Sequence, residues 1–423
     1  MWRTSWCTSW LGVADVAVLR RLCFPALIAL ALAGCEDAAD SASPASTSAS
    51  VHIEDSAGVR IVEYTGTPEV RALALADEPV YTHGTGPDDY PFASIAGSVL
   101  YPDGSAAVFD WRNREIVLLG PDGTFRDVLG GTGEGPGEVS QYGNIRLTGG
   151  GGDTLLVEDD WHYRLTLFAG GEVAWTGRPP MGDAVAGLTA TGIDGSGRFL
   201  MASILKPTAP DNFRAFEEPW RPGHLVRYDP STQGADTIAR YDWLESSDKE
   251  SLGAMDHSGE VGVAGGEFVY GRTDIPQLAW RRADGTVRQI MRWQPDWILT
   301  SEENWEPFIT CMRTYLHTLL GPSATEERLE ENWARWDYDP AGTYPLFDRM
   351  YSGDDGRLWL ENRWQPACYP RRLTAIGPDG TWLATFEPPE GFLPLDIAGG
   401  RVLGRVTDEM DVQSVVVFDL VGW

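Results

Sequence analysis

The chain has 423 residues, of which 33 are Lys or Arg and 62 are Asp or Glu, giving a formal net charge of −29. This acidic balance argues against a nucleic-acid-binding surface and against a basic patch for anionic membranes, because both depend on clustered Lys and Arg. With 43% hydrophobic and 22% charged residues, the composition is that of a globular protein, and 48 Gly with 28 Pro favour turn-rich β structure.

The amino-terminal segment predicts a secretory signal. Arg20 and Arg21 precede the apolar run 22–33, which leads into Gly34 and Cys35. At about 1.5 Å rise per residue, this run is too short to cross a hydrocarbon core of about 30 Å as a helix. Its ending, Leu-Ala-Gly-Cys, resembles the lipobox of bacterial lipoprotein signal peptides. The resemblance implies that residues 1–34 are removed and that Cys35 carries lipid; a secreted protein or an internal start is the alternative.

The segment after the signal predicts a flexible acidic tether over 35–50. It is rich in Ala, Ser and Thr and contains no aromatic residue with which to build a core. A lipid on Cys35 would hold the folded body, residues 51–423, on the outer side of a bacterial membrane, in the periplasm or at the cell surface.

Two cysteines remain once the signal and the lipidated position are set aside. Cys311 and Cys368 either form a disulfide, as an oxidising compartment permits, or stay as two buried free thiols.

A repeat organises the body of the chain. Residues 103–119 and 152–168 align at an offset of fifty, each with a β-rich run, an Asp-Trp loop and a second run opened by Arg. In this alignment Asp110-Trp111 matches Asp160-Trp161. Each copy ends in a tight Gly turn, so the pattern predicts a meander of antiparallel strands.

Weaker copies of the repeat pair 197–202 with 224–228, 266–270 with 277–280, 356–361 with 372–376, and 400–406 with 414–419. Together with the first two they make six units. The strand-like segments 58–64 and 73–81 are predicted to supply the missing strand of the last unit. Pairing the two chain ends in this way would close a ring and leave no open edge.

One interval departs from the strand pattern. Residues 300–340 predict a helical hairpin inserted between units four and five. Thr300 and Glu303 form a capping-box pattern ahead of an apolar stripe, and Ser323 with Glu326 can start a second helix.

These residues together carry a family resemblance. The Asp-Trp loops, Arg-opened strands and Asp-Gly turns resemble NHL-type six-bladed β-propellers. Residues 55–62 and 131–138 are similar to those of a bacterial six-bladed propeller lipoprotein family. The resemblance implies an all-β six-bladed propeller with the helical hairpin between blades four and five. Most members of that family have no established activity, so it implies the fold more than the function.

Repeated carboxylates are the first candidate site. Asp110 and Asp160, with Glu361 and Asp408 at the ends of later strands, could present a ring of oxygens at one end of a central channel and bind Ca²⁺. Gluconolactonase-type and related propeller hydrolases place a metal there. Alternatively, each carboxylate caps its own turn, and it recurs because the turn recurs.

Tryptophans are the second candidate. Trp111 and Trp161 stand at the loops of the repeat and could stack on a ligand, whereas others gather near the insertion. Packing between units is the alternative for all of them.

The absence of a recognisable catalytic motif in the sequence favours a non-enzymatic module that binds a protein or small molecule in the cell envelope as a monomer. A metal-dependent hydrolase or lyase using Ca²⁺ is the first alternative, and a glycan-binding lectin-like propeller is the second.

Overall fold

The computed structural model describes residues 50–66, 68, 70–179, 185–205, 219–245, 257–294, 309–314, 316–317, 325–336, 345–353, 355–362 and 371–423. Strands make up almost all of the regular structure, which confirms the all-β class. The predicted signal, Cys35 and the tether up to residue 49 lie outside these residues. Within the part of the chain that is described, no helix is long and apolar enough to cross a membrane.

The first three units are meanders of four antiparallel strands each, and they follow one another along the chain. Unit 1 comprises β5 (Ile95–Leu100), β6 (Ala106–Asp110), β7 (Glu115–Leu119) and β8 (Phe125–Gly130). Unit 2 comprises β9 (Ile145–Gly149), β10 (Thr154–Asp159), β11 (Arg164–Ala169) and β12 (Glu172–Gly177). Unit 3 comprises β13 (Val185–Ile193), β14 (Phe199–Leu205), β15 (Trp220–Asp229) and β16 (Gly234–Glu245).

The next three units repeat this organisation. Unit 4 comprises β17 (Gly259–Ala264), β18 (Glu267–Arg272), β19 (Gln277–Arg281) and β20 (Val287–Arg292). Unit 5 comprises β21 (Arg349–Ser352), β22 (Leu358–Asn362), β23 (Arg372–Ile376) and β24 (Trp382–Phe386). Unit 6 comprises β25 (Leu393–Ala398), β26 (Arg401–Thr407) and β27 (Gln413–Val421), and its fourth strand is β4 (Tyr81–His83). The strand pairs predicted for the weaker copies are confirmed.

Each boundary between successive units has its own hydrophobic cluster, including the boundary between units 6 and 1. Alternate residues of one strand pack on opposite faces of the sheet. Leu155 and Val157 of β10 pack against unit 1, and Leu156 packs against unit 3. The second strands are therefore apolar almost throughout, because both faces of each sheet are buried. The first strands of the units also contact one another in a closed cycle, from β5 through β9, β13, β17, β21 and β25 back to β5.

The strands that precede unit 1 line the outer edges of the last three units. β1 (Ser50–Ser56) and β2 (Val59–Thr65) form a hairpin, and β2 pairs in parallel with β20 of unit 4. β3 (Arg71–Leu75) pairs in parallel with β24 of unit 5, and β4 completes unit 6. The prediction that 58–64 belongs to the last unit is therefore wrong, whereas Tyr81, the end of the second predicted segment, does pair with Val417 there.

In the described part of the interval between β20 and β21, two segments are helical. Residues 309–314 and 316–317 are helical, and α1 spans Glu326–Trp336. Met312 and Leu316 of the predicted apolar stripe are buried. Arg313 joins the two segments, since its Nη1 lies 2.8 Å from Glu330 Oε1 and its guanidinium lies 4.9 Å from the Trp333 ring.

The start of α1 differs from the sequence prediction. Thr325 Oγ1 accepts a hydrogen bond from the backbone N–H of Arg328, so Thr325 is the cap of α1. The predicted starting residue Ser323, like the predicted capping box at Thr300 and Glu303, lies outside the described residues.

Candidate functional site

Asp110 ends β6 and is fully buried. Its carboxylate accepts hydrogen bonds from the backbone N–H groups of Ala93 at 2.7 Å and Ser94 at 3.1 Å, which lie in the connection that enters unit 1. It also accepts one from Arg112 N at 3.0 Å in its own turn. These bonds use the carboxylate to hold the loops together, which is the turn-capping alternative rather than the metal-binding one.

Asp159, and not Asp160, is the structural counterpart of Asp110. Asp110 lies opposite Ile95 at the start of β5, and Asp159 lies opposite Ile145 at the start of β9. Asp159 also accepts a bond from the entering connection, from Ser140 N at 2.8 Å.

The loops after these aspartates also match at an offset of 49 residues. The residue that completes each loop has positive φ, 59° at Arg114 and 51° at Tyr163. The prediction that Asp110 and Asp160 occupy equivalent places is thus wrong by one residue. Asp160 corresponds to Trp111, and Arg164 corresponds to Glu115.

The other two predicted carboxylates have separate structural contacts. Glu361 is fully buried, accepts a 2.6 Å bond from the Tyr351 hydroxyl, and lies 3.1 Å from Arg371 Nη1. Asp408 lies in the exposed turn between β26 and β27, where its Oδ1 accepts the N–H groups of Met410 and Val412.

Each of these four carboxylates is held by contacts of its own. Across the described ranges, no group of three or more His, Cys, Asp or Glu side chains is arranged to hold a metal. Asp110 accepts several backbone N–H groups, and Glu361 lies beside the guanidinium of Arg371, so in this structure both carboxylates contact the protein's own groups.

A cavity of about 620 Å³ opens between units 2 and 3, at the end where β9 and β13 begin and β10 ends. Its volume is in the range of small-ligand sites. Its lining residues are Gly143, Arg146, Glu158, Asp159, Asp160, Trp161, Tyr163, Arg164, Leu165, Pro179, Gly187, Leu188, Thr189, Met201 and Ile204. Asp160 and Trp161 from the sequence-based candidates are therefore brought together here, and Trp111 is not among the described lining residues.

An ion pair forms one wall of this cavity. Glu158 is buried; its Oε1 lies 2.8 Å from Arg146 Nη1, and its Oε2 accepts the N–H of Ala190 in unit 3 at 2.8 Å. Burial raises the pKa of Glu158, and Arg146 and the Ala190 N–H act against that rise. The Arg146 side chain is 44% exposed and lines the cavity, so a ligand can reach part of it.

Asp160 supplies an acceptor at the mouth of the cavity. It is partly exposed, and its carboxylate holds Asn144 through bonds of 2.6 Å to the backbone N–H and 2.9 Å to the side-chain amide. Each oxygen of a carboxylate has two lone pairs, so Asp160 can accept further hydrogen bonds from a ligand.

Arg164 fixes the glycine-rich connection that enters unit 2. Its Nη1 donates to Glu134 O at 2.8 Å and to Gly135 O at 3.2 Å, and its Nη2 donates to Glu138 O. Glu138 in turn accepts the N–H of Gly135 at 2.7 Å. Arg164, which lines the cavity, thus holds the glycine-rich segment through hydrogen bonds to its carbonyl groups.

Exposed aromatic rings lie in the loops at this end of units 1 and 2. Trp161 is 59% exposed, and its ring centroid lies 5.3 Å from that of Tyr142, which is 58% exposed. Trp111 is 38% exposed and lies under the guanidinium of Arg114, with 3.9 Å from Cζ to the ring centroid. Trp293 and Trp359, by contrast, are buried in clusters at the boundaries of units 4, 5 and 6, as the packing alternative expects.

Sequence reasoning missed Arg146, Glu158 and Asp159. A signal for Asp159 was present, because both repeats end their second strand with an acidic residue after an apolar run, but Asp159-Asp160 allowed two alignments. No sequence signal identifies Arg146 or Glu158, since they form a site only across the boundary between two units.

Cys311 is disulfide-bonded. Its predicted partner Cys368 lies outside the described residues, so the pairing of the two stays a prediction.

No family model matches the sequence, and no curated protein matches it. The chain is similar to the solved structure of a member of the duf4221 family from Bacteroides vulgatus, with 11% identity and a TM-score of 0.50 over 84% of this chain and 99% of that one. It is also similar to a predicted exported protein from Bacteroides fragilis, with 10% identity and a TM-score of 0.47 over 86% and 99%.

A gluconolactonase from Xanthomonas campestris is a third structure of this kind, with 11% identity and a TM-score of 0.41 over 83% of this chain and 99% of that one. At these identities the likeness concerns the fold, which is all-β and of propeller type.

Proposed function

We propose that this protein is an exported, lipid-anchored six-bladed β-propeller that binds a small polar ligand without catalysis in the cavity between units 2 and 3. The observation that carries the proposal is the cavity of about 620 Å³, which combines a half-exposed Arg146, the acceptor Asp160 and the exposed ring of Trp161. A concave site with few polar groups and an aromatic wall has the general character of a ligand pocket.

The six-bladed architecture is supported by three features of the described residues. There are six four-stranded units, six hydrophobic boundaries, and a closed cycle of contacts among the first strands. The helical insertion between blades four and five is supported by the two helical segments that follow β20 and contact each other through Arg313.

Export is supported by the signal-like run 22–33 and by the disulfide of Cys311, since disulfides persist in oxidising compartments. The resemblance around Cys35 supports a lipid anchor in the bacterial cell envelope. We expect the anchored protein to act as a monomer.

Binding is favoured over hydrolysis by the state of the buried carboxylates. Glu158 is paired with Arg146 and accepts the Ala190 N–H, and Asp159 accepts the N–H and hydroxyl of Ser140. A general acid or base needs an oxygen that is free to exchange a proton with the substrate. Here these oxygens hold the protein's own groups.

A cavity-filling variant tests the proposal. Gly187 lines the cavity, and a Cβ added there would meet only Ile204 Cδ1 at 3.6 Å, so Gly187→Leu places a side chain in the cavity without a backbone clash. Gly97 is the matched control, because it also follows a bulge in the first strand of its unit and has open space around its Cβ.

The experiment is a titration of the mature protein, kept in detergent, with a panel of neutral sugars, free amino acids, nucleosides and dipeptides, followed by tryptophan fluorescence. We expect saturable binding by at least one class, loss of that binding in Gly187→Leu, and retention in Gly97→Leu. No saturable binding across the panel, or equal binding by both variants, would contradict the proposal.

A further inference from the structure

Three exposed aromatic side chains, which we call the aromatic row, lead toward the cavity from the adjacent blade. They are Trp111, Tyr142 and Trp161. Trp111 follows β6, Tyr142 precedes β9 and Trp161 follows β10, so all three lie at the same end of units 1 and 2. Trp161 itself lines the cavity.

Arg114 connects the members of the row. Its guanidinium lies 3.9 Å from the Trp111 ring and donates to Gln141 O at 2.8 Å and to Gly143 O at 3.2 Å. These two carbonyls flank Tyr142, whose ring is 5.3 Å from Trp161. Arg114 is only 6% exposed, so the side chain that contacts Trp111 and the loop carrying Tyr142 is buried and hydrogen-bonded.

The three rings of the aromatic row are grouped at one end of units 1 and 2, and all three are exposed. Tyr142 and Trp161 are more than half exposed and Trp111 is 38% exposed, so part of the hydrophobic stabilisation that burial of these rings would give is forgone. Contiguous exposed aromatic surface marks an interaction site more often than a chance arrangement. The rigid support also reduces the entropy that binding would cost.

We propose that the aromatic row and the cavity together bind a linear, uncharged oligosaccharide whose end enters the cavity and whose following sugars stack on Trp161, Tyr142 and Trp111. This inference rests on the proposed function, because it names the ligand class of the same cavity. Each sugar ring presents an apolar C–H face that can lie on an aromatic ring and hydroxyl groups that both donate and accept.

The polar groups at the cavity mouth suit such hydroxyls. Asp160 accepts from a hydroxyl, and the exposed part of Arg146 donates to one, so a pair of neighbouring hydroxyls is complemented. The cavity lining contains three carboxylates and two arginines, and the whole chain has a net charge of −29. An anionic glycan would be repelled over its length, which favours an uncharged chain.

The test is a titration calorimetry series with cello-, malto-, xylo- and N-acetylchito-oligosaccharides of increasing length. We expect affinity in one series to rise about tenfold or more between one and three sugar units, since each stacking contact contributes on the order of 1 kcal/mol. Trp161→Ala should weaken binding of every length. Trp111→Ala should weaken only the longer members, by about five- to tenfold.

Trp423→Ala is the matched control. Trp423 is likewise partly exposed under an arginine, with Arg357 Cζ 4.1 Å from its ring, but it lies at the carboxyl terminus and outside the aromatic row. Its binding should equal that of the wild type. Circular dichroism of each variant would confirm that a loss of binding is not a loss of fold.

The outcomes separate the two proposals. One outcome is that short ligands bind, that Gly187→Leu abolishes this binding, and that neither a longer chain nor Trp111→Ala changes the affinity. That outcome would overturn the oligosaccharide inference and leave the proposed function intact. A proline-rich decapeptide that binds through Trp111 while no sugar does would also overturn it. If Gly187→Leu binds oligosaccharide as the wild type does, the proposal that the cavity is the binding site is contradicted.

Discussion

The hairpin loops of units 1 and 2 have the same length and the same backbone path, yet they present different surfaces. In both loops a buried aspartate, Asp110 or Asp159, holds the connection that enters the unit. The residue after it is Trp111 in unit 1 and Asp160 in unit 2. The residue with positive φ is the buried Arg114 in unit 1 and the exposed Tyr163 in unit 2.

The strand positions behind these loops differ as well. Where unit 2 has the ion pair of Arg146 with Glu158, the register places Gly97 and Phe109 in unit 1. Arg114 bonds the carbonyls of the connection into unit 2, whereas the exposed ring of Tyr163 leaves space open beside unit 3. Both units therefore keep the buried aspartate that holds the loop, Asp110 or Asp159, whereas the positions around it differ. The cavity lining includes residues at the positions that differ.

The largest expected effect is a loss of stability on replacing Asp110 or Asp159, compared with a small loss on replacing Asp160. Asp110→Ala should lower the free energy of unfolding by about 3 kcal/mol or more, because three backbone N–H groups lose a charged acceptor that is itself fully buried. Asp159→Ala should behave similarly. Asp160→Ala should cost about 1 kcal/mol or less, since its partner Asn144 is exposed. Urea denaturation measures all three, and equal losses at Asp159 and Asp160 would contradict the assigned equivalence.

The second effect concerns the positions with positive φ. Arg114→Asn and Tyr163→Asn both keep a residue that tolerates the left-handed conformation. Arg114→Asn should lower the free energy of unfolding by about 2 kcal/mol, since it removes the bonds to Gln141 O and Gly143 O and the stacking on Trp111. Tyr163→Asn should stay within about 0.5 kcal/mol. Thermal melts of the pair would decide it, and similar shifts in both would count against a structural role for Arg114.

The third effect is a pH dependence peculiar to unit 2. Because burial raises the pKa of Glu158 above its ordinary value of 4.5, the folded protein holds this proton more tightly than the unfolded chain. The contribution of Glu158 to stability is therefore complete below pH 4.5 and is lost as pH rises through the folded-state pKa. Glu158→Gln should remove this loss.

Relative to the wild type, that variant should gain unfolding free energy as the pH rises from 4 to 8. Urea denaturation at several pH values measures the difference. Glu63→Gln, which alters an exposed carboxylate on β2, serves as the control and should show no such trend. A difference between Glu158→Gln and wild type that does not vary with pH would refute the prediction.

The smallest expected effect is on the stability of the aromatic row. Trp161→Ala should change the free energy of unfolding by about 0.5 kcal/mol or less, and Trp111→Ala by about 1 kcal/mol, because only Trp111 stacks under a buried guanidinium. Differential scanning fluorimetry can compare the two melting temperatures. A larger loss at Trp161 would indicate that its ring packs within the fold instead of facing a ligand.

The sequence was sufficient to predict the all-β class and most strand pairs, because strand ends are marked by Gly and Asp-Gly turns and the second strands are strongly apolar. The alignment of the two repeats matched Asp110 with Asp160 instead of Asp159, because either of two adjacent acidic residues satisfies the pattern. The assignment of 58–64 failed for a different reason. An outer strand has a weak local pattern, and its partner, here β20, is chosen by contacts far along the chain.

The candidate site was less predictable than the fold. Trp161 and Asp160 were found because the loop repeats, but the cavity depends on how Gly187 and Leu188 of one unit face Arg146 and Glu158 of another. That relation is a property of packing between sheets, and hydrophobic periodicity along one strand does not encode it.

The fourth strand of unit 6 has a consequence for how the protein folds. β4 comes from the start of the folded body and pairs with β27 at its end, and Ile95 N donates to Gln413 Oε1 across 318 residues of sequence. Contacts of such separation form slowly, because the loop entropy is lost before the pairing is gained. We therefore expect the pairing of β4 with β27 to be the last step, possible only after β27 has been synthesised, with the edges of β4 and β27 open to aggregation until then.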